Sequence, residues 1–299
     1  MLTVPTVFVL GAGASAPFGF PTGWGLSRLV YEGLGPAQPG NHILHEVCGF
    51  APEKIEDFRM SLFHSGRQSV DAFLEHRPDL MRIGKAAMAQ ALIRFEMEEM
   101  LFAYNQSNWL REMLSRLNTT FDDFAKNRLS FITFNYDRTV EHFLFSSLQN
   151  SYKKSDKECA AVLVDIPVIH LHGTLGFLPW QKSKDTRPYA VDTSAESLTV
   201  SMDSIKVIHE DISDGRDDDF KRAKSVLGDA EQIVLMGFGY NSKNIERLGI
   251  ADLPDGKAIG TCQGLGPKGE DATRSACNGR VKLINSDCTD VIRELVNWQ

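Results

Sequence analysis

The feature that most constrains this chain is the run Val7-Phe8-Val9-Leu10 opening at once into Gly11-Ala12-Gly13-Ala14-Ser15-Ala16. β-Branched and aromatic residues without polar interruption suit a central parallel strand, because helices would cover both of its faces. Gly11 and Gly13 remove Cβ atoms where the backbone must turn sharply and where a pyrophosphate could approach closely. Free N–H groups of that turn, or of a helix starting after it, form a natural anion site. The expectation is an α/β fold: a Rossmann-like parallel sheet with helices on both faces, and a dinucleotide turn after its first strand. The spacing Gly-x-Gly-x-x-Ala also fits a tight turn with no ligand, since such turns are common in α/β proteins. An ordinary dehydrogenase unit would add a strand ending in Asp or Glu about 20 residues on. The chain has Glu32-Gly33-Leu34-Gly35-Pro36 there, which is loop chemistry and disfavours hydride transfer.

Beyond the turn, Phe18, Phe20 and Trp24 form an aromatic loop that could cover a ligand or pack on the domain. From about His42 to Phe124 strand signals almost vanish. Ala86, Ala89, Ile93, Met97, Met100, Leu101 and Tyr104 recur at three- and four-residue steps, which places them on one helical face. Its methionines are expected to fill a core seam. Ser69 or Asp71 can cap a helix through Phe73 and Leu74. Histidines 42, 45, 64 and 76 lack metal-ligand spacing.

The strand Leu129 to Phe134 runs straight into Asn135-Tyr136-Asp137, putting polar groups where open α/β sheets place ligands. Asn135 reads as functional, whereas Asp137 could simply cap the helix that follows. A strand from Ala161 to Leu171 is expected to deliver His170 and His172 to one face. A two-histidine metal site is disfavoured, as no Glu or Cys supports it. His172, beside Gly173, is the candidate base, since imidazole titrates near neutrality. The acidic run His209 to Asp219 suits a solvated loop, with Asp217 to Asp219 at a helix start and a calcium-like site as an outside alternative. Gln232 to Met236 is a further strand and opens into Gly237-Phe238-Gly239-Tyr240-Asn241. After Ala258 to Thr261 a glycine-rich linker to Asn278 is expected, then Val281 to Asn285, where Asn285 could hydrogen-bond an adenine or its ribose, and a closing helix. Three strand ends of one style point to a shared ligand crevice.

Composition bounds the alternatives. The 299 residues suffice for a large α/β domain, and a net charge of −7 disfavours a nucleic-acid surface. No apolar run nears the roughly 20 residues of a membrane span, and the N-terminus lacks the pattern of a leader, so the expectation is a cytoplasmic protein off the membrane. The five cysteines contain no C-x-x-C pair, which leaves neither a zinc module nor a disulfide framework.

Taken together, Gly11-Ala12-Gly13-Ala14-Ser15, Asn135-Tyr136-Asp137, His172-Gly173, Gly237-Phe238-Gly239-Tyr240 and Leu283-Ile284-Asn285 resemble, in order and spacing, the motifs of the sirtuin-like superfamily. The resemblance runs from about residue 6 to residue 296 and is to the bacterial NAD-consuming branch. The protein-deacylating branch carries a cysteine-zinc module and a Pro-Asp-Phe-Arg type segment, where this chain reads Phe20-Pro21-Thr22-Gly23-Trp24. The resemblance implies one catalytic domain, with 1–40 and 125–299 as Rossmann-like core and 41–124 as a helical insertion. It further implies hydrolysis of NAD, the substrate, to nicotinamide and ADP-ribose, without a metal. Asn135 would orient the ribose or water, His172 would act as base, and Asp137 would hold the nicotinamide side or the geometry of Asn135. Gly11, Ala12, Gly13 and Ser15 would bind the pyrophosphate, and Gly237, Phe238 and Asn285 would lie toward the adenosine half. Members of this branch are often antiphage abortive-infection effectors and often oligomers. Some work with a ring-shaped DNA-translocating ATPase or a separate sensor. A non-catalytic NAD or ADP-ribose sensor and an NAD-dependent deacylase are the rival expectations.

Overall fold

The computed structural model describes residues 1–105, 107–117, 119–181, 183–207 and 218–298. Strands β1 (Thr6–Leu10), β2 (Leu129–Thr133), β3 (Val168–His170), β4 (Gln232–Met236), β5 (Ala258–Thr261) and β6 (Val281–Ile284) form one sheet. Every pairing is parallel, and the spatial order is β3-β2-β1-β4-β5-β6. The expected α/β fold with a Rossmann-like parallel sheet is therefore present. Strand order reverses between β1 and β4, and in open α/β sheets ligands bind outside the carboxyl ends at such a point. Leu10 lies level with Thr133 and with Met236, so Gly11, Phe134 and Gly237 leave the sheet side by side.

Alternation along the strands explains the apolar runs. Val7 and Val9 pack with Ile132, Ile233 and Leu235 on one face. Phe8 and Leu10 pack with Phe131, Val234 and Met236 on the other. Both faces are buried, so β1 is apolar from Val7 to Leu10, and its one polar residue, Thr6, donates its hydroxyl to the Val4 carbonyl.

Between β1 and β2 the described chain is helical. It forms α1 (Ala12–Ser15), α2 (Gly23–Gly33), α3 (Pro52–His64), α4 (Val70–Leu74), α5 (Met81–Ile93) and α6 (Trp109–Arg116), with shorter turns between. Their buried side chains, Ile55, Phe58, Ile83, Met88, Trp109 and Met113 among them, merge with the Phe8 layer. The apolar face expected from Ala86 to Tyr104 is broken. Helix α5 buries Ala86, Ala89 and Ile93 but stops there, and Met100 and Tyr104 are exposed. The break turns Glu96 into the interior, where it meets two arginines.

Two other expectations need correction. Ala161 to Leu163 belongs to helix α8 (Asp156–Leu163), which follows α7 (Thr139–Tyr152). A capping box between Ser155 and Glu158 starts α8, and the strand begins only after Pro167. The segment expected as a glycine-rich linker contains a helix, Gly266–Ala276, with proline in its first turn and Thr273 buried. Between them lie α9 (Ala195–Ser204), α10 (Asp218–Asp229) and α11 (Ser242–Leu248). Asp218 and Asp219 open α10, where carboxylates favour the helix dipole. Residues 209–217 lie outside the described residues, and with them the calcium-like alternative. No helix among the described residues is long and apolar enough to cross a membrane.

Candidate active site at the strand-order reversal

A cavity of about 390 Å³ opens above the carboxyl ends of β1, β2 and β4. Gly11, Ala12, Ser15, Asn135, Asp137, His172 and Phe238 all line it. Gly13, Gly237 and Asn285 do not.

The first turn is built differently from a phosphate cradle. The Gly11 N–H donates to the Met236 carbonyl, the Gly13 N–H to that of Gly237, and the Ala14 N–H to that of Gly11. These bonds leave the Ala12 N–H as the amide of the turn that can face a ligand. A Cβ on Gly11 would lie 2.5 Å from the Gly237 carbonyl oxygen, and one on Gly13 would lie 2.8 Å from Gly237 Cα. The bare backbones of the two turns are therefore packed on each other, and the missing side chains make room for protein backbone.

Asn135 ties β2 into the same assembly. Its Nδ2 donates to the Gly11 carbonyl and to Ser15 Oγ, each at 2.9 Å. Ser15 in turn hydrogen-bonds Asp137. Asp137 Oδ1 also accepts from the Thr139 N–H at 3.2 Å and from Thr139 Oγ1 at 2.6 Å, so it holds the first residue of α7 from one position before the N-cap, Arg138. Burial pushes its carboxyl above the usual range, against the opposing hydrogen bonds from Ser15 and Thr139.

The two histidines part company. His170 directs Nδ1 at the Asn135 carbonyl (3.0 Å) and Nε2 at Glu141 Oε1 (2.7 Å). Both partners present oxygens, an arrangement that favours the doubly protonated, charged ring. Burial opposes that charge, but Glu141 and the hydrogen bonds outweigh it and raise the pKa. His172 sits in the turn after β3, with its carbonyl held by the Lys206 N–H. Its ring stands edge-on to Phe134 at 5.3 Å, and its buried Nε2 has no hydrogen-bond partner among the described residues. Burial, reinforced by the charge of Arg247, pushes its pKa down to about 4. The imidazole is therefore neutral at physiological pH, in a residue that lines the cavity. No metal-competent cluster of His, Cys, Asp or Glu exists among the described residues.

That depressed pKa makes a prediction about stability. The unfolded chain takes up a proton at His172 near pH 6.5, and the folded chain only near pH 4. Stability from this group is therefore complete above pH 6.5 and is lost as pH falls toward 4, by about 3 kcal/mol in all. Urea melts of wild type and His172→Gln from pH 7 to 4 should show the gap between them change over that window. A constant gap would contradict the assignment.

Aromatic rings carry the floor of the crevice onward: Phe134 to Phe238 at 5.2 Å, then Phe238 to Tyr240 at 5.1 Å. Tyr240 adopts φ +50°, in the left-handed region, and its hydroxyl donates to the Thr261 carbonyl at 3.1 Å. Its ring end rests on Gly260 of β5, where a Cβ would overlap it. Tyr240 and β5 thus stand between the cavity and Asn285, which is exposed beyond β6.

The opposite wall was not anticipated. It comes from α4 and its flanks, Arg67, Ser69, Asp71 and Glu75, and from the start of α11, including Asn241 and Lys243. Ser69 is the N-cap of α4, accepting from the Ala72 N–H. Lys243 Nζ meets Glu75 Oε2 at 2.7 Å and joins α11 to α4 across the cavity. Phe20 lines the cavity and Phe18 is buried beside Trp109, whereas Trp24 is exposed.

Behind Asp137, Arg138 is fully buried. Its guanidinium grips both oxygens of Glu96 at 2.6–2.8 Å and donates to the carbonyls of Gly176, Arg187 and Pro188. Arg187 binds the same Glu96. This network fixes the chain after His172 to the helix that follows Asn135. Removing one partner would strand buried charge, typically at a cost of about 3–5 kcal/mol.

No protein-family model matches the chain, and no curated protein matches it.

Proposed function

We propose that this chain is an NAD glycohydrolase, cleaving NAD with water to nicotinamide, ADP-ribose and a proton. The observation that carries this reading is His172: a neutral imidazole with a buried, unpartnered Nε2, lining the cavity at the strand-order reversal together with Asn135. In the reaction, the bond from ribose C1′ to the nicotinamide nitrogen breaks, and its electron pair neutralises the pyridinium ring. Water then adds at C1′. The site must supply a positioned ribose, a positioned water and a proton acceptor.

His172 would accept the proton from the water or from a ribose hydroxyl. Asn135 would act chiefly through its Oδ1, since Nδ2 is committed to Gly11 and Ser15. Asp137 would hold Ser15 and through it the Asn135 amide, and would not touch nicotinamide. Gly13 and Gly237 would shape the turn, and the diphosphate would meet the Ala12 N–H and the wall bearing Arg67 and Lys243. The adenosine half would run along Phe238 and Asn241 in place of Asn285.

An enzyme of this kind would harm its own cell if always active. We therefore extend the proposal to an antiphage effector, silent until self-assembly or a sensor partner releases it. The test is chromatographic detection of nicotinamide from NAD incubated with the purified chain, alone and with lysate of phage-infected cells. Release in either condition is expected. Its absence in both, with NAD still bound, would make the chain a binding module.

A further inference from the structure

Three carboxylates line the cavity, Asp71, Glu75 and Asp137, and they are engaged in different ways. Glu75 is joined to Lys243 by an ion pair. Asp137 is held by Ser15 and Thr139. Asp71 has one side-chain partner among the described residues, the hydroxyl of Tyr136, which donates to its Oδ1.

Asp71 is also placed apart from the fold that carries Asn135 and His172. It sits on α4, within the helices between β1 and β2, yet it meets the middle residue of Asn135-Tyr136-Asp137. The Tyr136 ring lies 6.5 Å from that of His172. One turn further along, Glu75 reaches Lys243 on α11, after β4. Helix α4 thus crosses the mouth of the crevice, with Asp71 over the half that holds His172 and Glu75 over the other half.

A carboxylate fixed by a neutral phenol keeps its demand for further donors. Of the cavity-lining cations, Lys243 is on Glu75, one turn away, and Arg67 stands on the stretch before α4. A vicinal diol offers two O–H donors at the spacing of two carboxylate oxygens. A carboxylate on a ribose diol is also the usual mark of a nucleotide site. We propose that Asp71, oriented by Tyr136, is a substrate-binding residue that grips the 2′,3′-diol of the ribose to be cleaved. The inference deepens the NAD reading of the same cavity and rests on it. Held there, the carboxylate would also face the positive charge that grows on the ribose as nicotinamide departs, a charge best stabilised by a fixed anion. Burial pushes the Asp71 carboxyl upward while the Tyr136 bond opposes it, so the phenol helps to keep the anion present.

The experiment is calorimetric binding of ADP-ribose and of ADP, which lacks the second ribose, to the full chain, its Asp71→Asn variant and its Tyr136→Phe variant. Nicotinamide release and melting temperature are measured in parallel. Asp71→Asn keeps the shape and an acceptor for Tyr136. It should weaken ADP-ribose roughly ten- to a hundredfold, the size of one or two charge-assisted hydrogen bonds, and leave ADP within twofold. Tyr136→Phe should give a smaller loss, again confined to ADP-ribose, and serves alone if Asp71→Asn does not fold. Equal affinity of wild type and variants for ADP-ribose, or a parallel loss for ADP, would overturn the assignment. So would wild type that binds ADP-ribose no better than ADP. Selective loss without nicotinamide release by wild type, alone or with lysate of phage-infected cells, would retain the diol site and reject the hydrolase. Release by wild type with unchanged ADP-ribose affinity in the variants would do the reverse.

Discussion

Replacing His172 with alanine is expected to lower nicotinamide release about 10²–10⁴-fold, the usual worth of a positioned base. The fold should survive, because His172 Nε2 has no partner to orphan and the ring borders an open cavity. Asn135→Ala should lose activity for a second reason. Its amide holds the Gly11 carbonyl and Ser15 Oγ, so the variant should also lose about 1–3 kcal/mol of stability. Activity assays beside urea melts at pH 7 separate the two. Retention of the wild-type rate by His172→Ala would remove the proposed base from the mechanism.

Gly237→Ala should be strongly destabilising for the addition of a single methyl group. The added carbon would overlap the Ala14 nitrogen and the Gly13 backbone, and the residue would be held at φ +56°. Backbone cannot rotate away as a side chain can. The strain of overpacking and of a left-handed alanine together should reach about 4 kcal/mol or more, a large part of a typical 5–15 kcal/mol stability. Gly239→Ala is the control two residues on, where a Cβ would meet nothing within 4 Å. A urea midpoint shifted sharply by the first substitution and little by the second is expected. Equal midpoints would mean that the two turns are not interlocked as described.

The sheet was legible because β1, β2 and β4 are buried on both faces, which forces uninterrupted apolar runs of strand length. The segment from Ala161 was misleading for the same reason in reverse. Ala160-Ala161-Val162-Leu163 suits either period, and the deciding signal was the Ser155 to Glu158 box upstream. On the site, the residues at strand ends could be found because strand ends converge. Asp71, Glu75 and Lys243 could not, because only tertiary folding brings α4 across the crevice. A faint signal did exist: Ser69 suffices to cap α4, leaving Asp71 as a surplus acid in an apolar helix. Glu96 carried a similar hint, a lone carboxylate among Leu92, Ile93, Phe95 and Met97, and its turn inward ended a helix that periodicity alone would have extended.

The contact between Gly13 and Gly237 also sets an order of events. A growing polypeptide exposes Asn135 and His172 to the cell well before Gly237 is synthesised. Until then the carbonyls of Met236 and Gly237 that hold the first turn do not exist, and α11 has not arrived to meet α4. The pocket is thus a product of the finished sheet, and a nascent or truncated chain ending before β4 has Asn135, Asp137 and His172 but no place in which to use them.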